Sequence, residues 1–400
     1  MNPTTIIFLT VFIDLLGFGI IIPLMPFYAE TFGANALTVG LLNTSFSLMQ
    51  FLFAPFWGRL SDRVGRRPVI LIGLFGSFVA YLLFGLAQSL TLLFAARIAA
   101  GIAGANIPTA QAYMADVTTP ENRAKGMGLV GAAFGLGFIF GPAIGGFLSQ
   151  WGYQAPSFFA SALSLANFSA AWFLLPESLS RRHPDGLPPS TIDVTAQPAR
   201  SSRWAAFRHA FERKRLPELL LVYFVVVTAF SSFELNFSLY GERRFGFTST
   251  TIGYVFAFIG VVLSVVQGVL VGRVVPKLGE HRVVPAAIAT LCVGMVLIPL
   301  AGTTPVLVTA CGILALGMGF HSPSITSAIS RLSGAHEQGG ILGLAQAVAS
   351  LARIVGPAWG GFLYDRFGVT SPFYAAAAFL AFALLLSLAT IARAPLTRPA

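Results

Sequence analysis

Charge is what this sequence has least of: Asp, Glu, Lys and Arg make up 10% of its 400 residues, against roughly a quarter in soluble domains. With 56% of positions hydrophobic and a mean hydropathy of +0.78, a water-soluble globular fold is excluded, because too little polar surface exists to cover the apolar remainder. Cysteine is almost missing. Cys292 and Cys311 both fall inside apolar stretches, which excludes a disulfide framework or zinc cluster and leaves them as small core residues. The chain also lacks a Walker lysine loop, a nucleophile elbow and any cluster of metal ligands. Neither ATP hydrolysis nor covalent catalysis is encoded, so the expectation is no enzyme, no cofactor and no metal, with energy drawn from a gradient. The opening MNPTTIIFLTVFIDLL has no basic leader or small-residue cleavage site. It reads as a first span of an uncleaved chain.

What is present is a series of apolar runs, each long enough to cross a hydrocarbon core of about 30 Å at about 1.5 Å per helical residue. Twelve are expected, over 5–27, 38–57, 68–88, 91–115, 124–149, 155–175, 217–241, 249–272, 283–301, 304–330, 338–363 and 371–392. Helices are the structure that satisfies their backbone groups within lipid. The 41 glycines and 24 prolines fit close-packed, bendable membrane helices. A net charge of +10 does not indicate nucleic acid, because the basic residues sit in short loops between spans. With the N-terminus inside, 20 of the 25 Lys and Arg lie on the cytoplasmic side. Arg243, Arg244 and Arg366 lie outside, while Arg97 and Arg353 fall within spans. The positive-inside rule therefore orients a multi-pass protein of the cell (inner or plasma) membrane with both termini cytoplasmic.

Between the sixth and seventh spans lies the one long polar stretch, rich in Pro, Ser and Arg. It is read as a linker, 177–216, between six-helix bundles at 1–176 and 217–400. Arg203 to Arg215 forms either a basic amphipathic helix on the inner leaflet or a solvated tether. An offset of 214 to 215 residues superposes the halves: GPAIGGFL from Gly141 matches GPAWGGFL from Gly356, Gly65 falls on Gly279, and Pro108 falls on Pro323. The expected fold is thus an all-α membrane protein of two pseudo-symmetric six-helix bundles. Substrate would sit between them and be exposed alternately to each side; a fixed pore needs no such symmetry.

GRLSDRVGRRP, Gly58 to Pro68, packs four arginines and Asp62 into what reads as a tight turn. Gly58 permits close helix approach, Gly65 supplies a turn conformation, and Asp62 can pair with Arg63, Arg66 or Arg67 or accept helix N–H groups. The reading is a cytoplasmic latch, the alternative being that the arginines only set topology. Asp116, Glu121 and Arg123 form a second latch or a solvated loop. Gly131, Gly135, Gly141, Pro142, Gly145 and Gly146 in the fifth span let another helix pack closely.

The Gly58 loop resembles the signature between helices two and three of the major facilitator superfamily. GLVGAAFGLGFIFGPAIGG resembles the glycine-rich signature of drug/proton exchangers, and LFAARIAAGIAGA around Arg97 their fourth-helix arginine motif. FIDLLGFGIIIPLMP, AYMADVTTPENRAKG and FLLPES resemble the tetracycline efflux branch. The resemblance implies twelve helices, alternating access and proton-coupled export. It departs in two places: GRVVPKLGEHR lacks an aspartate equivalent to Asp62, so a weaker second latch is expected. Ala80 and Leu291 or Cys292 also stand where tetracycline exchangers carry acids.

Ionisable groups inside spans cost at least about 2.5–3.5 kcal/mol each and mark function by default. They are Asp14, Arg97, Glu234, His321 and Arg353. Asp14 matches the acidic position of the tetracycline-type first helix and is the leading proton carrier, moving between a desolvated setting and one near Arg97; alternatively it ties two helices together as an ion pair with Arg97. Glu234, beside Phe233 and Phe237, binds a proton or cationic drug or pairs with Arg353. Arg353 could instead hold an anion. His321 titrates or simply packs. The expected activity is exchange of protons for a small hydrophobic or cationic compound by a monomer. Rival readings are passage of a metabolite or organic anion on Arg97 and Arg353, and a non-transporting sensor or scaffold.

Overall fold

The computed structural model describes residues 2–105, 107–119, 122–178, 215–332 and 338–390, without the side chains of 123–125 and 338–340. Among these, twelve helices are long and apolar enough to cross a bilayer: α1 Pro3–Ile21, α2 Ala36–Val64, α3 Arg66–Gly85, α4 Leu90–Val117, α5 Arg123–Leu148, α6 Gln154–Leu174, α7 Leu216–Phe245, α8 Ser249–Leu278, α9 Glu280–Leu300, α10 Thr304–Arg331, α11 Gln338–Phe367 and α12 Ser371–Thr390. No strand forms among them. The face where α1 begins is called near here, and the opposite face far. Large apolar side chains stay exposed around the outside, among them Phe173 and Leu385, which suits a hydrocarbon surround and not water. Nearly all of the expected linker, including Arg203, lies outside the described residues.

The charged segment after the second span is not the expected loop. α2 continues as helix through Asp62 and Arg63 to Val64, and α3 starts at Arg66, so Gly65 alone makes the reversal, at φ 107°. A side chain there would be strained and would strike the Glu177 carboxylate. Gly279 repeats the device between α8 and α9, at φ 75°.

Helix packing follows the repeat. In the first half α1 packs on α5 and α6, α3 on α4 and α6, and α2 on α4; α7 packs on α11 and α12, α9 on α10 and α12, and α8 on α10. Every pair has its counterpart six helices later. The halves meet along α2 with α11 and α5 with α8.

Both seams are tight at the far face. Thr250 Oγ1 donates to the Gly146 carbonyl at 2.8 Å, and Ser149 and Ser249 share a hydroxyl hydrogen bond at 2.8 Å. The Asp365 carboxylate caps α2 across the other seam, accepting the N–H of Ala36 at 3.1 Å and Leu37 at 2.8 Å. Arg243 pairs with Glu30 at 3.0 Å. Toward the near face the seams part. Gly128 and Gly131 of α5, Gly268 and Gly272 of α8 and Gly343 of α11 each have open space where a Cβ would stand. A π-helical turn, Val266–Leu270, interrupts α8, and no residue of Val271–Leu278 beyond it is buried. The chain is therefore closed at the far face and open at the near face.

Candidate functional site

The glycines of α5 serve two partners instead of one seam. Gly141 and Gly145 lie against the α1 backbone at Gly19 and Ile20, whereas Gly146 meets Gly253 of α8, and a Cβ on Gly135 would stand 3.0 Å from Ser264. The Pro142 carbonyl faces Gly253. A Cβ on Gly131 would meet nothing within 4 Å, so the expectation that this glycine lets another helix pack closely does not hold in this state. The same holds for Gly58, whose Cβ position is empty.

At the near face the charged segment forms a network within the first half. Arg66, buried at the start of α3, reaches Asp62 at 2.7 Å, the Ser61 hydroxyl at 2.6 Å and Asp116 of α4 at 3.3 Å. Ser178 also donates to Asp116, at 3.2 Å. Glu177 accepts the backbone N–H of Arg66 at 2.9 Å and of Arg67 at 3.2 Å, capping α3. Arg67 lies 5.9 Å from the centre of the Trp172 ring, while Arg63 is exposed. None of these contacts crosses to the second half. Glu121 and the side chain of Arg123 lie outside the described residues.

The second half carries its own pair, with the charges reversed. Glu280 opens α9 where Arg66 opens α3, and Arg331 ends α10 where Asp116 stands near the end of α4. Glu280 accepts from Arg331 at 2.9 Å and from Ser327 at 2.8 Å. The arrangement suits the helix dipoles, an anion at an N-terminus and a cation at a C-terminus. The expected weaker second latch is therefore a different pair rather than a diluted copy. Because the Glu280 side chain is only 6% exposed, Arg331→Gln should cost about 1–3 kcal/mol by leaving a buried acceptor short of a donor. A thermal melt of the purified protein checks this; an unchanged midpoint would show the pair to be idle.

The five intramembrane groups divide by half. Asp14 is half-buried, with the Ser77 hydroxyl of α3 beside its carboxyl. Its Oδ1 is buried and without a hydrogen-bond partner. Arg97 is 2% exposed, donates to Asn43 Oδ1 at 3.0 Å and sits 4.3 Å over the Phe46 ring. Asp14 and Arg97 make no ion pair, so the reading of a structural tie between α1 and α4 does not describe this state. Tyr81 of α3 lies within electrostatic reach of both.

In the second half Arg353 is the charge acting on Glu234, yet the two make no ion pair. Arg353 is exposed in mid-helix, on the side of α11 opposite the outward-facing Leu351, Val355 and Phe362. It therefore opens into the cleft between the halves. Phe233 and Phe237, the neighbours of Glu234 in the chain, are buried and pack with Phe256 of α8, at 6.4 and 5.8 Å between ring centres. His321 is fully buried, 6.3 Å from the Tyr223 ring, with neither ring nitrogen bonded. Ala80 and Leu291 are buried apolar core, leaving no acid where the tetracycline pattern has two.

Residues the sequence reading passed over are Glu177, the Glu280–Arg331 pair, Asp365, and the Asn43, Phe46, Ser77 and Tyr81 side chains around Arg97 and Asp14. Only Glu177 carried a signal, as the lone acid in FLLPES.

The sequence matches the family model described as Major Facilitator Superfamily over residues 7–357 and 269–400. It is 35% identical over 360 residues to multidrug resistance protein 2 of Bacillus subtilis (strain 168), covering 89% of this chain and 87% of that protein. Tetracycline resistance protein, class E, of Escherichia coli is 32% identical, with 91% and 89% covered. Among solved structures, the human organic anion transporter MFSD10 (TETRAN) is similar with a TM-score of 0.71 at 28% identity, over 96% of this chain and 99% of that one. A bacterial homologue of the human lysosomal transporter Spinster, in an inward-facing and unoccupied conformation, reaches a TM-score of 0.81 at 15% identity, over 97% and 96%; that likeness is one of fold.

Proposed function

The chain belongs to the major facilitator superfamily, and from that premise we propose that it exports a small hydrophobic or cationic compound in exchange for protons. The observation that carries the reading is Asp14: a half-buried acid in a membrane-spanning helix, free of any ion pair, with one carboxyl oxygen unbonded. Such a group is expensive in lipid unless it exchanges a proton. The likeness to multidrug and tetracycline resistance proteins over about nine-tenths of the chain supports efflux.

In this reading the near face is cytoplasmic, both termini lie inside the cell (inner or plasma) membrane, and the protein works as a monomer. The bundles 1–176 and 217–400 rock about the α2–α11 and α5–α8 seams. Cargo enters from the near side, a proton from the far side displaces it, and Arg66, Asp62 and Asp116 keep the near ends of α2, α3 and α4 moving as one body. A second reading, passage of an organic anion, is favoured by the exposure of Arg353 to the cleft and by the likeness to an organic anion transporter.

Growth of an efflux-deficient host on a panel of toxic cations and anions separates them. The proposal expects protection against lipophilic cations that a protonophore removes. Protection confined to anions, and lost with Arg353→Ala, would favour the second reading.

A further inference from the structure

We propose that Tyr81 is a positioning residue that relays the charge of Arg97 to Asp14, and that Gly17 is present to seat it. Two buried polar atoms lack partners, Asp14 Oδ1, an acceptor, and Arg97 Nε, a donor, and Tyr81 lies within electrostatic reach of both residues. Asp14 and Arg97 themselves make no ion pair. Tyr81 bonds neither atom in this state, but a phenolic hydroxyl both donates and accepts, so in another state of the cycle the Tyr81 oxygen can take the Arg97 Nε–H while its own O–H points at the Asp14 carboxylate.

The ring lies against α1 beside Asp14. Gly17 lies one helical turn beyond Asp14 on α1, and a Cβ there would stand 3.1 Å from Tyr81 Cε2 and 3.4 Å from its hydroxyl oxygen. An alanine there would push the ring back by a few tenths of an ångström. Ser77, one turn before Tyr81 on α3, stands beside the same carboxyl, so one face of α3 is addressed to Asp14. The bridge has meaning only for the ionised acid: the carboxylate accepts the phenol proton, whereas a protonated carboxyl no longer needs it. Arg97 meanwhile stays fixed by Asn43 and Phe46 on α2. Arrival of a proton at Asp14 therefore frees α1 from the α3 and α4 groups without moving the arginine.

The inference rests on Asp14 being the proton carrier, and the test separates the two. Proton-coupled ethidium transport is measured against pH in proteoliposomes of the full chain for Tyr81→Phe, Gly17→Ala, the double variant and Asp14→Asn. Tyr81→Phe keeps the ring and removes the donor, so proton release should need a higher pH. The profile is expected to move alkaline by about one unit, the scale of one hydrogen bond to a charged group, with kcat lowered and KM little changed. Gly17→Ala should move it the same way with the tyrosine intact, and the double variant should go no further. A structural role alone would change yield or melting and leave the midpoint in place. Profiles of Tyr81→Phe and Gly17→Ala that overlay the parent, with Asp14→Asn uncoupled, would overturn the relay and spare the carrier. Coupling retained in Asp14→Asn would remove both.

Discussion

Valine at position 361 is expected to cut transport by about a hundredfold while the second bundle still folds. Gly361 faces α2, where a side chain would strike the Ala36 carbonyl and stand 2.9 Å from the Leu37 Cα. The obstacle is backbone, which cannot rotate aside. Overpacking of this kind costs about 1–3 kcal/mol, and every 1.4 kcal/mol is about tenfold in an equilibrium. Since the clash exists only when the far seam is closed, its cost falls on one state of the transport cycle. The neighbouring Gly360 makes the control. It faces Ser232 and Asn236 of α7, within its own bundle, so Gly360→Val should lower the melting temperature and yield instead. Parent-like transport by Gly361→Val would mean that the far seam need not close.

The second large effect is expected from Asp14→Asn. Asparagine keeps the volume and hydrogen-bonding capacity of a protonated aspartate but cannot lose a proton. Cargo exchange down its own gradient should continue near the parent rate, because the asparagine amide stands in for the protonated carboxyl and can still accept from Ser77. Accumulation driven by a pH gradient should vanish. The pair of assays, counterflow and gradient-driven uptake on one preparation, distinguishes uncoupling from misfolding. Loss of both would make Asp14 a structural residue; survival of both would make it a bystander.

How much of this was legible in the sequence depends on whether the signal was local. The spans, the repeat and the intramembrane charges could be read because hydropathy and offset are properties of the chain itself. Helix ends were harder. The charges from Arg59 to Arg63 suggested a loop, yet a helix that outruns the hydrocarbon continues through polar residues until something stops it, here Gly65. The second near-face pair was missed because comparing halves position by position looks for like charges. Arg66 and Glu280, and Asp116 and Arg331, exchange signs while keeping their places. For α5 the glycines were visible but their partners were not: Gly141 and Gly145 meet α1, and Gly146, one residue further round, meets α8. Asp14 and Arg97 looked like a pair by charge, and only the placement of Asn43, Phe46 and Tyr81 between and around them revealed separate settings. Glu234 and Arg353 show the same limit, since opposite charge suggested a pair and the two make no ion pair although their helices pack together.

The claim that most of the account depends on is that cargo and protons move in opposite directions through one carrier. Lumenal pH recorded in proteoliposomes, with a gradient of a transported lipophilic cation and no imposed pH gradient, tests it directly. The lumen should become alkaline as cargo runs in and acidic as it runs out, at a rate that follows cargo flux. Cargo flux with lumenal pH unchanged, or shifting in the opposite sense, would contradict the account.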